Sequence, residues 1–252
     1  MRENKVRTSW QQGNAVVNSW LMVPSSLTAE VMSHSGWDCL TIDLQHGLID
    51  YQAALTMMQA ISSTDVTPFV RVPSLEPGLM GKLLDAGAYG LICPMINSRK
   101  DADALVRACR YAPVGTRSVG PVRAAIYGGP DYLEHADETI IIFAMIETTE
   151  ALTNLEEIVS TPGVDGIYIG PGDLSMSFGH LPVLSDIAPE VNEAIAAIRT
   201  SAKAAGKRVG IHCLDGAQAH ERILQGFDFV SVSADLQMLA MAAAREVQTA
   251  RE

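Results

Sequence analysis

Residues 139–170 read TIIIFAMIETTEALTNLEEIVSTPGVDGIYIG. An apolar run at 139–146 gives way to a helical pattern at 149–160, and a second apolar run follows at 164–170. Both runs are continuous rather than alternating, as expected of strands buried on both faces. Strand, helix and strand in that order make a parallel βαβ unit. The unit recurs in both directions along the chain. Upstream strand-like runs lie at 16–23, 38–44, 67–72 and 90–96, and downstream ones at 208–213 and 228–233. Helical patterns separate them at 26–34, 51–62, 77–86, 100–110, 189–205 and 215–225, and one more follows at 235–250. Several helices end in a glycine just before the next strand, at Gly36, Gly87, Gly206 and Gly226, as helix C-caps do. Eight such alternations predict a closed (β/α)8 TIM barrel, one α/β domain over residues 1–252. An open doubly wound sheet is the alternative, and it needs a topological switch point that the sequence does not show. The longest irregular stretch, 111–138, falls between strands four and five, and a loop of that length is usually functional or used in assembly.

Composition agrees with one such domain. The chain has 252 residues, and a single barrel takes roughly 250. With 48% hydrophobic and 19% charged residues it is globular rather than disordered. The net charge of −11 argues against nucleic-acid or anionic-membrane partners, which need basic patches. It leaves room for a small anionic substrate held by a few placed arginines. No apolar run reaches the ~18 residues of a membrane helix, and the first fourteen residues, MRENKVRTSWQQGN, carry no apolar leader. Cys39, Cys93, Cys109 and Cys213 form no CxxC pair, so reduced buried thiols and a cytoplasmic location are expected.

In such a barrel the reactive groups lie at the C-terminal ends of the strands. That rim collects Trp20, then Asp43, Gln45 and His46, then Arg71, Glu147, the Gly170-Pro171-Gly172-Asp173 run, His212, and Ser233 with Asp235. Each has a bland reading. Asp173 can cap a helix, Arg71 can sit in a structural pair, and His212 can be a satisfied core histidine. For Ser233 and Asp235 the capping reading is preferred. Convergence from at least six strands is what favours a site.

Glu147 and Asp173, on adjacent strands, can share a hard divalent cation and leave positions open for water and substrate. A metal-free carboxylate pair is the alternative. Beside Asp173 the Gly-Pro-Gly run opens a short helix, whose amides favour an anionic group. A 2-oxo acid fits a carboxylate site next to a metal. Asp43 and His46 stand three apart where strand two stops, so Asp43 can set the tautomer of His46, a candidate general base. Arg71, one strand over, can hold an enolate oxygen. None of Lys5, Lys82, Lys100, Lys203 and Lys207 ends a strand, which disfavours a Schiff-base lysine. The loops after strands seven and eight lack a paired-glycine phosphate cradle, and no nucleotide-binding or H-E-x-x-H motif is present. No organic cofactor is expected.

In order and spacing, TIDLQHG, PFVRVP, FAMIETTEAL and IYIGPGDLSMSFG resemble the class II pyruvate-dependent aldolases. These are the 4-hydroxy-2-oxo-acid aldolases, 4-hydroxy-2-oxo-heptane-1,7-dioate aldolase-like, of the HpcH/HpaI aldolase/citrate lyase family. The resemblance implies that Glu147 and Asp173 are metal carboxylates for Mg²⁺, Mn²⁺ or Co²⁺. It implies His46 as base with Asp43 as its dyad partner, Arg71 as enolate stabiliser, and Gly172 and Asp173 amides for the pyruvate carboxylate. Trp20 matches a pocket aromatic, and Asp85 an acidic residue that reaches a neighbouring subunit's site. The implied assembly is a homo-hexamer, a dimer of trimers, with the 235–250 helix exchanged between subunits.

Two positions depart from the family pattern. Gln45 stands where many members carry Glu, which removes a negative charge near the metal. His212 stands where the best-known members look apolar, and can either contact the acceptor aldehyde or pack neutrally. The activity implied is reversible cleavage of 4-hydroxy-2-oxo acids to pyruvate, or a close 2-oxo acid, and an aldehyde. Arg117 and Arg123, in the long 111–138 segment, can reach a distal substrate carboxylate or serve subunit and surface contacts. The rival readings are a malyl- or citryl-CoA type lyase of the same superfamily and a non-catalytic 2-oxo-acid-binding protein.

Overall fold

The computed structural model describes residues 1–252. Eight strands appear where the apolar runs predict them: β1 (Val16–Leu21), β2 (Cys39–Asp43), β3 (Thr67–Arg71), β4 (Gly90–Cys93), β5 (Ile141–Ile146), β6 (Gly166–Ile169), β7 (Arg208–Cys213) and β8 (Phe229–Ala234). All pair in parallel with their sequence neighbours, and β1 pairs with β8 to close the barrel. The open-sheet alternative is thereby excluded.

The strands are shielded on both faces. Outward-facing residues such as Leu40, Ile42, Val70, Leu91, Ile142 and Ile211 join the larger core cluster under the helices. The inward face alternates with them, as a period of two requires. Its lowest layer is aromatic, with Phe69, Phe143 and Phe229 packed together. Gly90 makes room for it, because a Cβ there would fall 2.2 Å from the Phe69 ring. The layer above is polar although fully buried. Thr41 Oγ1 donates to Asn18 Oδ1 (2.9 Å), and Asn18 Nδ2 donates to Ser231 Oγ (2.8 Å). The top layer brings Trp20, Asp43, Arg71 and His212 to the rim.

Three segments differ from the sequence reading. The chain opens with a helix, Lys5–Gln11, that the sequence reading passed over; it plugs the barrel floor with Val6 and Trp10. The stretch 111–138, expected to be irregular, holds helices Val122–Gly128 and Tyr132–Thr139. The helix expected over 149–160 is two pieces, Thr149–Thr153 and Leu155–Val159, broken at Asn154, whose side-chain amide donates to the Asn97 carbonyl (2.8 Å).

The C-terminal helix, Asp235–Thr249, buries only its first residue and leaves Leu236, Leu239, Met241 and Val247 exposed. All four cysteines are buried free thiols. No helix is long and apolar enough to cross a membrane.

Candidate active site

A cavity of about 220 Å³ opens at the C-terminal rim. Asp43, His46, Arg71, Gly172, Asp173, Trp20 and His212 all border it. Of the other rim residues singled out in the sequence, Glu147, Gln45, Ser233 and Asp235 are not among its walls.

Glu147 leaves the end of β5 and is 1% exposed. Its Oε1 accepts from the Met95 amide (2.8 Å), while its Oε2 is buried with no partner. Met95 presents that amide from a left-handed conformation (φ 56°), which is strained for a residue with a side chain. Gly170 leaves space for the carboxylate, because a Cβ there would meet Oε2 at 2.5 Å. Burial first, then the nearby Asp173, pushes the Glu147 carboxyl up to about 7. Asp173 stands in the first turn of helix Pro171–Ser177, where Gly170 at the N-cap offers no side-chain acceptor. The amides of Gly172 and Asp173 therefore lack both an intrahelical and a capping partner.

These groups fit a hard divalent cation. An unpartnered buried carboxylate oxygen beside a second carboxylate is what a cation would relieve. No third His, Cys, Asp or Glu joins them, so a cation held by the pair would leave its other positions to water and substrate.

Asp43 departs from its expected role. Its Oδ1 and Oδ2 accept from Arg71 Nε (2.9 Å) and Nη2 (2.6 Å), a side-on bidentate pair. Oδ1 also accepts from the amides of Gln45 (3.0 Å) and His46 (3.4 Å). The Asp43 carboxylate thus holds Arg71 and the backbone of the turn, and the expected side-chain dyad with His46 is not formed. The cause is register: Asp43 and Arg71 are directly paired residues of β2 and β3. With Nε and Nη2 engaged, Nη1 is the edge of Arg71 left for the cavity. Although burial opposes its charge, Asp43 keeps Arg71 above its ordinary value. The guanidinium carbon lies 4.3 Å over the Trp20 ring. Trp20 Nε1 donates to His212 Nδ1 (3.0 Å). Burial, then the Arg71 charge, holds His212 down at about 4.

Other expected residues stand elsewhere. Gln45 is not among the cavity walls, and its side-chain carbonyl oxygen is buried without a partner. Asp85 lies outside the cavity and pairs with Arg117 (2.7 Å). Arg123 does not reach for a ligand, because it donates to the carbonyls of Ala86 and Met58 and to Ser62 Oγ. Asp235 accepts from the amides of Met22 (2.8 Å) and Leu236 (2.7 Å), but the N-cap of the C-terminal helix is Ala234 with no side-chain cap, so neither Ser233 nor Asp235 is the cap the sequence suggests. The sequence reading passed over Met145 and Tyr168, which also border the cavity. Their signal was the period of two, since Met145 stands two residues before Glu147 and Tyr168 two before Gly170.

Comparison with known proteins gives a consistent family. The HpcH/HpaI aldolase/citrate lyase model matches residues 18–242. A hydroxypyruvate/pyruvate aldolase from Rhizorhabdus wittichii is 46% identical, covering 98% of this chain and 99% of that one. A 4-hydroxy-2-oxo-heptane-1,7-dioate aldolase from Escherichia coli is 36% identical, covering 96% and 92%. Among solved structures, an HpcH/HpaI aldolase/citrate lyase family protein from Burkholderia cenocepacia aligns with a TM-score of 0.91. It is 35% identical, with 99% of this chain and 100% of that one covered.

Proposed function

Because the chain belongs to the HpcH/HpaI aldolase/citrate lyase family, we propose that it is a divalent-metal-dependent class II aldolase. It reversibly cleaves 4-hydroxy-2-oxo acids to pyruvate, or a close 2-oxo acid, and an aldehyde. The observation that carries this reading is the buried, unpartnered Oε2 of Glu147 beside Asp173 and the open amides of helix Pro171–Ser177. The relatives named as hydroxypyruvate/pyruvate and 4-hydroxy-2-oxo-acid aldolases support the reaction class.

Glu147 and Asp173 would hold the cation, Mg²⁺, Mn²⁺ or Co²⁺. When bound, it supplies Lewis-acid polarisation of the 2-oxo group. The amides of Gly172 and Asp173 bind the substrate carboxylate at the helix N-terminus. In the aldol direction, His46 at the cavity mouth takes a proton from C3 of the 2-oxo acid. Arg71 Nη1 meets the enolate oxygen as negative charge develops there, the enolate carbon then attacks the aldehyde, and the aldehyde oxygen takes the proton back from His46 to become the 4-hydroxyl. In cleavage, His46 takes the 4-hydroxyl proton, the C3–C4 bond breaks to release the aldehyde, and the enolate takes that proton at C3. Since Asp43 and Trp20 fix the guanidinium before charge develops, Arg71→Ala should cost about 10²-fold, as loss of one fixed oxyanion donor does.

We further propose a cytoplasmic homo-hexamer, a dimer of trimers. Exposed Leu236, Leu239, Met241 and Val247 on the C-terminal helix support an exchange of that helix between subunits.

The test is deuterium exchange into the pyruvate methyl group, followed by proton NMR with Mg²⁺, with chelator and in Glu147→Ala. Exchange that needs both metal and Glu147 is expected. An absence of exchange under every metal tried would sink the reading.

A further inference from the structure

His212 lies at the end of a chain of contacts that runs Asp43, Arg71, Trp20, His212. Each link constrains the next. Asp43 grips two guanidinium nitrogens in their own plane. The indole face sets the tilt of that plane from 4.3 Å below. The indole is held in turn by its N–H. An indole nitrogen can only donate, so the 3.0 Å bond to His212 Nδ1 makes that nitrogen an acceptor. The neutral imidazole then carries its one proton on Nε2. His212 stays in that form because burial and the neighbouring Arg71 charge keep it from protonating. Tyr168 packs against the indole edge-on, with ring centroids 5.6 Å apart. The indole is therefore bounded by a ring edge, a cation and one directional hydrogen bond. Of these three, the hydrogen bond is the directional one, and it is the one that satisfies the buried indole N–H.

We propose that His212 is a positioning residue for Arg71, acting through the Trp20 indole rather than by touching substrate. The catalytic consequence rests on the aldolase reading, whereas the geometric one does not. An apolar residue at 212 would leave the indole N–H buried and unpaired. The indole would rotate to find a partner, and the guanidinium resting on it would follow. A displacement of that kind at a group that meets developing charge lowers the rate of chemistry more than the binding of substrate.

The experiment compares His212→Phe, which keeps a ring and loses the acceptor, with His212→Gln, which keeps an acceptor. Methyl exchange of pyruvate is measured with Mg²⁺, and the Trp20 indole and Arg71 Nε–H resonances are followed by ¹H–¹⁵N NMR. For His212→Phe, kcat should fall about 10-fold with KM changed less than about 2-fold. Both resonances should move, and His212→Gln should recover most of the rate. In an Arg71→Ala background, His212→Phe should cost nothing further, because the route it acts through is gone. A loss that persists undiminished in that background overturns the proposal, and so does a full kcat in His212→Phe. Where His212→Phe does not fold, Trp20→Phe takes its place, since it keeps an aromatic face and loses the N–H. An unchanged kcat there overturns the proposal equally. If the parent exchanges no deuterium, the aldolase reading fails separately. An unmoved Arg71 resonance in His212→Phe then refutes the positioning by itself.

Discussion

Replacing Glu147 with Gln should change how the metal-free protein responds to pH. The Glu147 carboxyl is pushed up from 4.5 to about 7, by burial and then by Asp173. An acid raised in this way binds its proton more tightly folded than unfolded. Its contribution to stability is complete below the unfolded value and is lost as pH rises through the folded one. The full span is about 3 kcal/mol, and most of it falls between pH 5 and pH 8. At 1% exposure, solvent screening takes little away.

His212 works in the opposite sense. Its folded value is depressed from 6.5 to about 4, so the parent gains about 2 kcal/mol between pH 5 and pH 8 from that ring. In the parent the two slopes oppose each other. In Glu147→Gln the His212 slope stands alone, and the variant should gain roughly 2–3 kcal/mol more than the parent on going from pH 5 to pH 8. Gln keeps an oxygen for the Met95 amide, and every other titrating group is common to both proteins. The assay is urea unfolding in chelator at both pH values, at one fixed protein concentration so that assembly contributes equally. Identical pH responses, within about 0.5 kcal/mol, would refute the account of Glu147 as a carboxyl buried at a cost.

Three further outcomes follow from the same geometry. Asp43→Ala leaves Arg71 charged and nearly buried without its partner, so it should destabilise by about 3–5 kcal/mol in chemical denaturation. Gly170→Ala puts a methyl 2.5 Å from both Glu147 Oε2 and the Met145 methyl. The carboxylate must turn away, and Mn²⁺ affinity, read by electron paramagnetic resonance titration, should fall at least about 10-fold. Asn18→Ala strands the hydroxyls of Thr41 and Ser231 in the barrel interior and should cost about 2–3 kcal/mol; a neutral result would mean water replaces the amide.

The barrel was legible because parallel strands covered on both faces leave uninterrupted apolar runs, and the rim because polar residues end those runs. The side chains that hold the rim in place were harder to read. Asp43 and His46 are neighbours in sequence, which argued for a dyad. Asp43 and Arg71 are 28 residues apart and meet only through strand register, which spacing within one strand does not encode. The Met95 amide on Glu147 depends on a left-handed residue that is not glycine, so nothing in its identity announces it. Helix Lys5–Gln11 had a faint signal: Asn4 as its cap, with Val6 and Trp10 four apart on one face. The helices within 111–138 were masked by the glycines and prolines around them.

The buried triplet of Thr41, Asn18 and Ser231 spans β2, β1 and β8, the last of which meets β1 where the barrel closes. Apolar side chains would tolerate a closing strand displaced by two residues, since the same faces would still point inward. A slip that brings Phe229 opposite Asn18 would cost more, because the Asn18 side-chain N–H would then be buried without its Ser231 acceptor, while Thr41 still donates to the amide oxygen. Hydrogen-bond matching at the β1–β8 seam therefore adds to packing in selecting the barrel's shear. Chains that carry an apolar residue at position 18 should lose this proofreading, and should reach misregistered closed forms before they lose overall compactness.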